Sequence, residues 1–283
     1  MLLSAADLRF EYARGAGRHA DEASRVIDGV SIDVAAGDIV GILGPNGSGK
    51  TTLLRLLSGV LTPAAGTVTL GGTPVARVPR RVLAQRVAFV PQETALAFDY
   101  TVLEIVLMGR YPHLGAFEIE GPDDLAAAMR ALEATGTASF AERAFRTLSG
   151  GEKQRVVIAS ALAQLDAGVG QSIANKVLML DEPTASLDLK YQFEVASLLR
   201  RLHDASGLTI LLSTHDLRFA ASICTRIVLL SAGRILAHGT PREVLTPALI
   251  GQLFDVPPAM AEPILASAQT GTEPRVFRPG ETS

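Results

Sequence analysis

A chain of 283 residues, 48% of them apolar, has material for one large core or two modest ones. A net charge of −3 offers no basic surface for nucleic acid, and the single cysteine, Cys224, excludes an internal disulfide. No apolar run approaches the ~20 residues needed to cross a bilayer and the N-terminus lacks a signal-peptide pattern, so the chain is expected to be soluble and to meet a membrane only through partners.

In chain order, Asp38 to Leu43 is an apolar run suited to a buried strand. Gly44-Pro45-Asn46-Gly47-Ser48-Gly49-Lys50-Thr51-Thr52 follows, and the stretch to Leu57 is helix-forming, with Gly59 placed to end it. Strand, glycine-rich loop and helix form the context of a triphosphate cradle, because glycines let backbone N–H groups converge on phosphate oxygens and the helix N-terminus adds a positive field. That chemistry gives Lys50 to the β- and γ-phosphates of a nucleoside triphosphate and Thr51 to its magnesium ion. Gly66 to Gly72 reads as a strand closed by a turn, and Val87 to Val90 leads into Pro91-Gln92. From about Glu93 to about Ala163 the character is helical. Pro122-Asp123-Asp124 is a helix-start signal, and Leu125, Ala128, Met129 and Leu132 share one face. His113, like His19, His203 and His238, lacks metal-ligand spacing.

Leu148-Ser149-Gly150-Gly151-Glu152 opens a helix whose Ile158, Ala161, Leu162 and Leu165 predict one buried face. A Ser-Gly-Gly by itself is a common turn, although opening a helix it can present a hydroxyl, N–H groups and the helix dipole to an anion. Residues 166–175 then form a loop of small and polar residues. Val177-Leu178-Met179-Leu180-Asp181 describes a buried strand that presents a carboxylate to magnesium at its tip. Glu182 is placed to polarise the water that attacks the γ-phosphate. A helix carrying Val195, Leu198, Leu199 and Leu202 and a strand over 208–212 come next, then Ser213-Thr214-His215-Asp216. Ile227 to Leu236, broken by Ala232-Gly233, predicts a hairpin. A short helical pattern follows Thr246, and residues from about Ala259 either lack order or dock on the domain.

The phosphate loop, the Leu148–Glu152 motif and the aspartate strand, in that order, resemble the ATP-binding cassette (ABC) ATPases from about Leu8 to about Val256. The resemblance implies an α/β fold: a P-loop (RecA-like) nucleotide-binding core with an antiparallel β subdomain and an inserted α-helical subdomain at about 93–163. The ABC domain spans 1–256, leaving a C-terminal tail at 257–283. In that family Ser149, Gly150 and Gly151 face a nucleotide held by a second copy, and Asp188 sits in a loop crossing the dimer interface. His215 matches the switch histidine, Gln92 the glutamine that reaches magnesium and water, and Tyr12 the aromatic that stacks on adenine. The segment Ala13 to Arg25 is longer than usual before the following strand, with Phe10 the second choice for adenine.

Thr101 to His113 and Pro241 to Pro247 resemble segments of importers for ferric siderophores, haem and cobalamin. The implied function is the ATP hydrolase of such an importer, at the cytoplasmic face of the membrane. Its partners are a second copy, two membrane permease subunits and, indirectly, an extracytoplasmic binding protein. An exporter cassette and a non-transport ABC ATPase are the alternatives; the latter usually carries two fused cassettes or a coiled-coil insertion, which this chain lacks.

Overall fold

A computed structural model describes residues 1–12, 25–93, 98–166, 173–185 and 187–269 of the chain. The strands are β1 (Leu3–Glu11), β2 (Arg25–Val34), β3 (Ile39–Leu43), β4 (Ala65–Leu70), β5 (Thr73–Pro74), β6 (Val87–Val90), β7 (Val177–Asp181), β8 (Thr209–Thr214), β9 (Arg226–Ser231) and β10 (Arg234–Gly239). The helices of the first half are α1 (Lys50–Leu57), α2 (Arg80–Ala84), α3 (Val102–Met108), α4 (Pro122–Ala134) and α5 (Gly150–Leu165). Those of the second half are α6 (Leu189–Ser206), α7 (Leu217–Ile223), α8 (Pro241–Val244), α9 (Pro247–Phe254) and α10 (Pro258–Gln269).

Two sheets form. The smaller is antiparallel in the order β2-β1-β4-β5, and the larger runs β10-β9-β3-β8-β7-β6. In the larger sheet every neighbouring pair is parallel except β9–β10. Its central strands β3, β7 and β8 are buried along their whole length, which explains why they read as unbroken apolar runs. Alternate residues still serve different cores: Ile39, Leu178, Leu180 and Ile210 pack on one face, and Val40, Ile42, Val177 and Met179 on the other. The register sets Asp181 beside Ser213 and Leu43 beside Thr214, so three strand tips end side by side.

The helical layer of α3, α4 and α5 lies between β6 and β7 in the chain. Thr101 and Ser149 each close a capping box, with Glu104 and Glu152 returning to the backbone N–H of the cap, at 2.7 Å and 2.8 Å. Those bonds hold both exposed carboxyls below the usual glutamate range. The buried face of α5 is as its spacing predicts. In α4 the face is rotated: Ala127, Ala128, Ala131 and Leu132 are buried, while Leu125 is 45% exposed.

The β9–β10 hairpin turns at Ala232 and Gly233, both at positive φ, as a two-residue turn of this hand requires. Past the expected boundary at 256 the fold continues into α10, whose Ala261 and Leu265 join the main core. Pro258–Gln269 is thus a helix packed against the core through Ala261 and Leu265. Most of the expected loop at 166–175, the long segment after Tyr12 and the last fourteen residues lie outside the described residues.

Helices α3 and α5 approach so closely that a Cβ on Gly109 would stand 2.2 Å from the Ser160 carbonyl oxygen. Gly109→Ala is expected to lower stability by ~1–3 kcal/mol, read from the urea midpoint. A midpoint equal to that of the unaltered chain would contradict this packing.

Candidate active site

The site is built at the C-terminal tips of β3, β8 and β7, the crevice where open α/β sheets receive ligands. The loop after β3 is shaped by its glycines. A Cβ on Gly44 would lie 2.2 Å from the Leu230 carbonyl oxygen and 2.5 Å from Ser48 Oγ, and Gly49 has a φ of 101°. Asn46 and Gly47 form the exposed crest of the loop. Ser48 is buried, and its Oγ is one of three buried side-chain polar atoms among the described residues with no hydrogen-bond partner. A buried donor left unpaired beside a loop of convergent N–H groups suits an anion.

Lys50, 5% exposed, donates to the carbonyl oxygens of Gly44 at 2.9 Å and Pro45 at 3.2 Å. Its Nζ also pairs with Glu182 Oε1 at 3.2 Å. The other carboxylate oxygen of Glu182 lies 3.1 Å from Nδ1 of His215. Glu182 thus bridges the lysine of β3's loop and the histidine beyond β8. Its φ of 45° is a left-handed conformation that an L-residue with a side chain adopts at a cost, the kind of local strain found at reactive positions.

Asp181 is 2% exposed. Its Oδ1 accepts from Thr51 Oγ1 at 3.0 Å and from Ser213 Oγ at 2.6 Å. Ser213 in turn accepts from the Glu182 backbone N–H at 2.9 Å, so one hydroxyl fixes both acidic residues. Ser213 was a strand-tip residue with no assigned role in the sequence, because lateral pairing of β7 with β8 leaves no local pattern. Thr51 and Asp181 offer two hard oxygens, and no group of three or more His, Cys, Asp or Glu side chains capable of holding a metal occurs among the described residues. That donor set fits magnesium, which is commonly held by one or two protein oxygens plus phosphates and water.

Tyr12 is half exposed beside α1, with its hydroxyl 3.3 Å from Thr52 Oγ1 and its ring edge-on to Phe10 at 4.9 Å. Gln92 is exposed, and no hydrogen bond among the described residues ties it to the site. Ser149, Gly150 and Gly151 form a separate cluster, joined to the phosphate loop by no described contact. Ser149 and Gly150 are exposed at the N-terminus of α5, while Gly151 is buried with its would-be Cβ 2.3 Å from the Tyr191 ring. Gly150 faces Leu187 at 3.5 Å by the same measure, so the motif sits against the segment that carries Asp188, itself exposed. Ser186 lies outside the described residues.

A glycine loop between a parallel strand and a helix, with an aspartate and a glutamate on a strand one removed, defines a P-loop nucleotide-binding protein. The profile of the ABC transporter family matches residues 27–185, and the chain belongs to that family. It is 42% identical to the cobalamin import ATP-binding protein BtuD of Halobacterium salinarum, an alignment covering 88% of this chain and 60% of that relative's length. It is 41% identical to the hemin import ATP-binding protein HmuV of Myxococcus xanthus, over 81% of this chain and 84% of the relative. Among solved structures it resembles an inward-facing ABC transporter assigned to the metal-chelate type, with a TM-score of 0.76, 34% identity and 90% of each chain covered. It also resembles the dimeric cassette MJ0796 in a post-hydrolysis state with ADP and Pi, with a TM-score of 0.70, 27% identity, and 85% and 99% covered.

Ser213→Ala removes the one donor and acceptor shared by Asp181 and the Glu182 N–H, and leaves a buried polar pair short of a partner. A loss of ~1–3 kcal/mol in unfolding free energy is expected. Unchanged stability to urea would show that the hydroxyl is dispensable.

Proposed function

We propose that the chain is the ATP-hydrolysing subunit of an ABC importer, working as a peripheral protein on the cytoplasmic face of the membrane. Two copies bind two ATP at a shared interface and close. Closure drives two membrane permease subunits, to which an extracytoplasmic binding protein delivers an iron chelate, haem or cobalamin. The similarity to import ATP-binding proteins for cobalamin and hemin supports the cargo class. The observation that carries the reading is geometric. Lys50, Asp181, Glu182 and His215 converge at neighbouring strand tips, whereas Ser149 and Gly150 stand apart, exposed near Asp188.

In this reading the N–H groups from Gly44 to Thr52 cradle the phosphates, and Lys50 binds the β- and γ-phosphates. Thr51, Asp181 and Gln92 are the residues that hold magnesium, which when bound neutralises charge at the phosphate oxygens. Glu182 accepts a proton from the attacking water, and His215 orients that carboxylate and contacts the γ-phosphate. Tyr12 stacks on adenine, its half-exposed ring offering a flat face beside α1. Ser149 and the Gly150 and Gly151 N–H groups complete the site of the other copy, with the field of α5 behind them, and Asp188 crosses the interface.

The ion pair between Lys50 and Glu182 adds a consequence: an arriving γ-phosphate competes with Glu182 for the ammonium. Glu182→Gln is therefore expected to bind ATP at least as tightly as the unaltered chain, to lose turnover, and to trap an ATP-bound dimer seen by gel filtration. Turnover at the unaltered rate would remove Glu182 as the base. Ser149→Arg is expected to abolish turnover while leaving ATP binding to the isolated monomer intact. Binding that falls as steeply as turnover would mean that Ser149 serves its own chain's nucleotide.

A further inference from the structure

The last four carbonyls of a helix have no partner within it, yet at the end of α5 each one is taken by a side chain from another segment. Arg110 Nη1 donates to the Ala163 and Asp166 carbonyl oxygens at 2.7 Å and 2.6 Å. His113 Nε2 bonds the Gln164 carbonyl at 2.8 Å; a carbonyl only accepts, so that nitrogen carries the proton. Lys176, just before β7, donates to the Leu165 carbonyl. Arg110 is 5% exposed and also pairs with Asp124 of α4 through Nε at 2.9 Å. Burial is the largest cause holding His113 and Lys176 below their usual pKa ranges.

The segment that supplies these donors is itself held. The Pro112 carbonyl accepts from Arg81 Nε at 2.8 Å and Gln85 Nε2 at 2.6 Å, and the His113 carbonyl from Arg81 Nη2 at 2.8 Å. Gln164 closes the circuit by donating to the Ala84 and Val87 carbonyls at 2.7 Å and 3.1 Å. Residues 110–113 therefore clamp the C-terminal end of α5 to α2 and α4, while Gln164 ties it to the start of β6 and Lys176 to the residue before β7. Tyr111 alone of the four points outward, 59% exposed.

We infer that Arg110 and His113 are positioning residues: they form the pivot that fixes the tilt of α5 and so places Ser149 at the nucleotide of the second copy. The inference rests on the functional reading above. Helix α5 has 16 residues, which makes it ~24 Å long. A tilt of about 10° at its C-terminal end moves Ser149 by ~4 Å, and a displacement of ~1 Å at a reacting centre already costs ~100-fold in rate. Phosphate binding in the chain's own loop involves none of these residues. Loosening the pivot is thus a loss of turnover without a loss of nucleotide affinity.

The test uses full-length Arg110→Gln, Arg110→Lys and His113→Phe beside the unaltered chain. Affinity for a fluorescent ATP analogue is measured on dilute monomer, and kcat and KM for ATP at high protein concentration. The expected result for Arg110→Gln is a kcat lower by ~10-fold or more, with analogue affinity and KM within about 2-fold. Arg110→Lys recovers part of the rate, because one ammonium reaches a carbonyl but cannot also serve Asp124. His113→Phe, which keeps Arg110, shows a smaller drop with the same split, and it decides the matter should Arg110→Gln fail to fold. Unaltered kcat in both Arg110→Gln and His113→Phe overturns the inference. So does a parallel loss of analogue affinity and kcat in His113→Phe, which would mean general damage to the fold. An unaltered chain that hydrolyses ATP as a monomer contradicts the functional reading itself, whereas a cooperative unaltered chain with active variants contradicts only the pivot.

Discussion

The site depends on one constraint, the parallel pairing of β3 with β8 and of β8 with β7. Parallel strands point the same way, so residues far apart in the chain arrive at one rim: Gly44 to Lys50 after β3, Ser213 to His215 at β8, Asp181 and Glu182 at β7. Burial on both faces fixes the register, because a shift of one residue would turn Leu178, Leu180 and Ile210 away from their core. The hydrogen bond from Ser213 to Asp181 and the contacts of Glu182 with Lys50 and His215 follow from that register. Neither acidic residue can move independently of the sheet.

In the proposed function a second part of the chemistry falls to a different element, held by a different logic. Helix α5 presents Ser149 at its N-terminus, away from the strand tips, and its packing is tight at both ends. Tyr191 fills the space over Gly151, and Gly109 lets α3 meet the backbone at Ser160. Side chains would block both approaches, which explains glycine there on steric grounds. The result is a subunit with two separate faces, the strand-tip site and the N-terminus of α5; in the proposed function, two such subunits facing each other complete one another.

Much of this was legible in the sequence where the signal is local. The strand–loop–helix of the phosphate site, the β9–β10 hairpin and the buried face of α5 all follow from glycine placement and periodicity. The face of α4 was misjudged because its packed residues are mostly alanines, at 127, 128 and 131, chosen for closeness rather than hydrophobic bulk. The large Leu125 drew the stripe the wrong way. Ser213 gave no signal because its role comes from the neighbour of its strand, which periodicity does not report. Arg110 and His113 stood out only as part of the importer-like segment Thr101 to His113, because the carbonyls they serve lie about fifty positions further on and leave no local pattern. The tail past 256 reads as proline-rich, yet Ala261 and Leu265 suffice to dock a helix on the core.

The central claim is that hydrolysis needs a site completed by a second copy. The most direct measurement is the magnesium-dependent ATPase rate per chain as a function of protein concentration, with the oligomeric state of the same samples read by gel filtration. The account predicts a rate per chain that climbs steeply with concentration and levels off as the dimer saturates. A rate independent of concentration, from a species that elutes as a monomer, would contradict it.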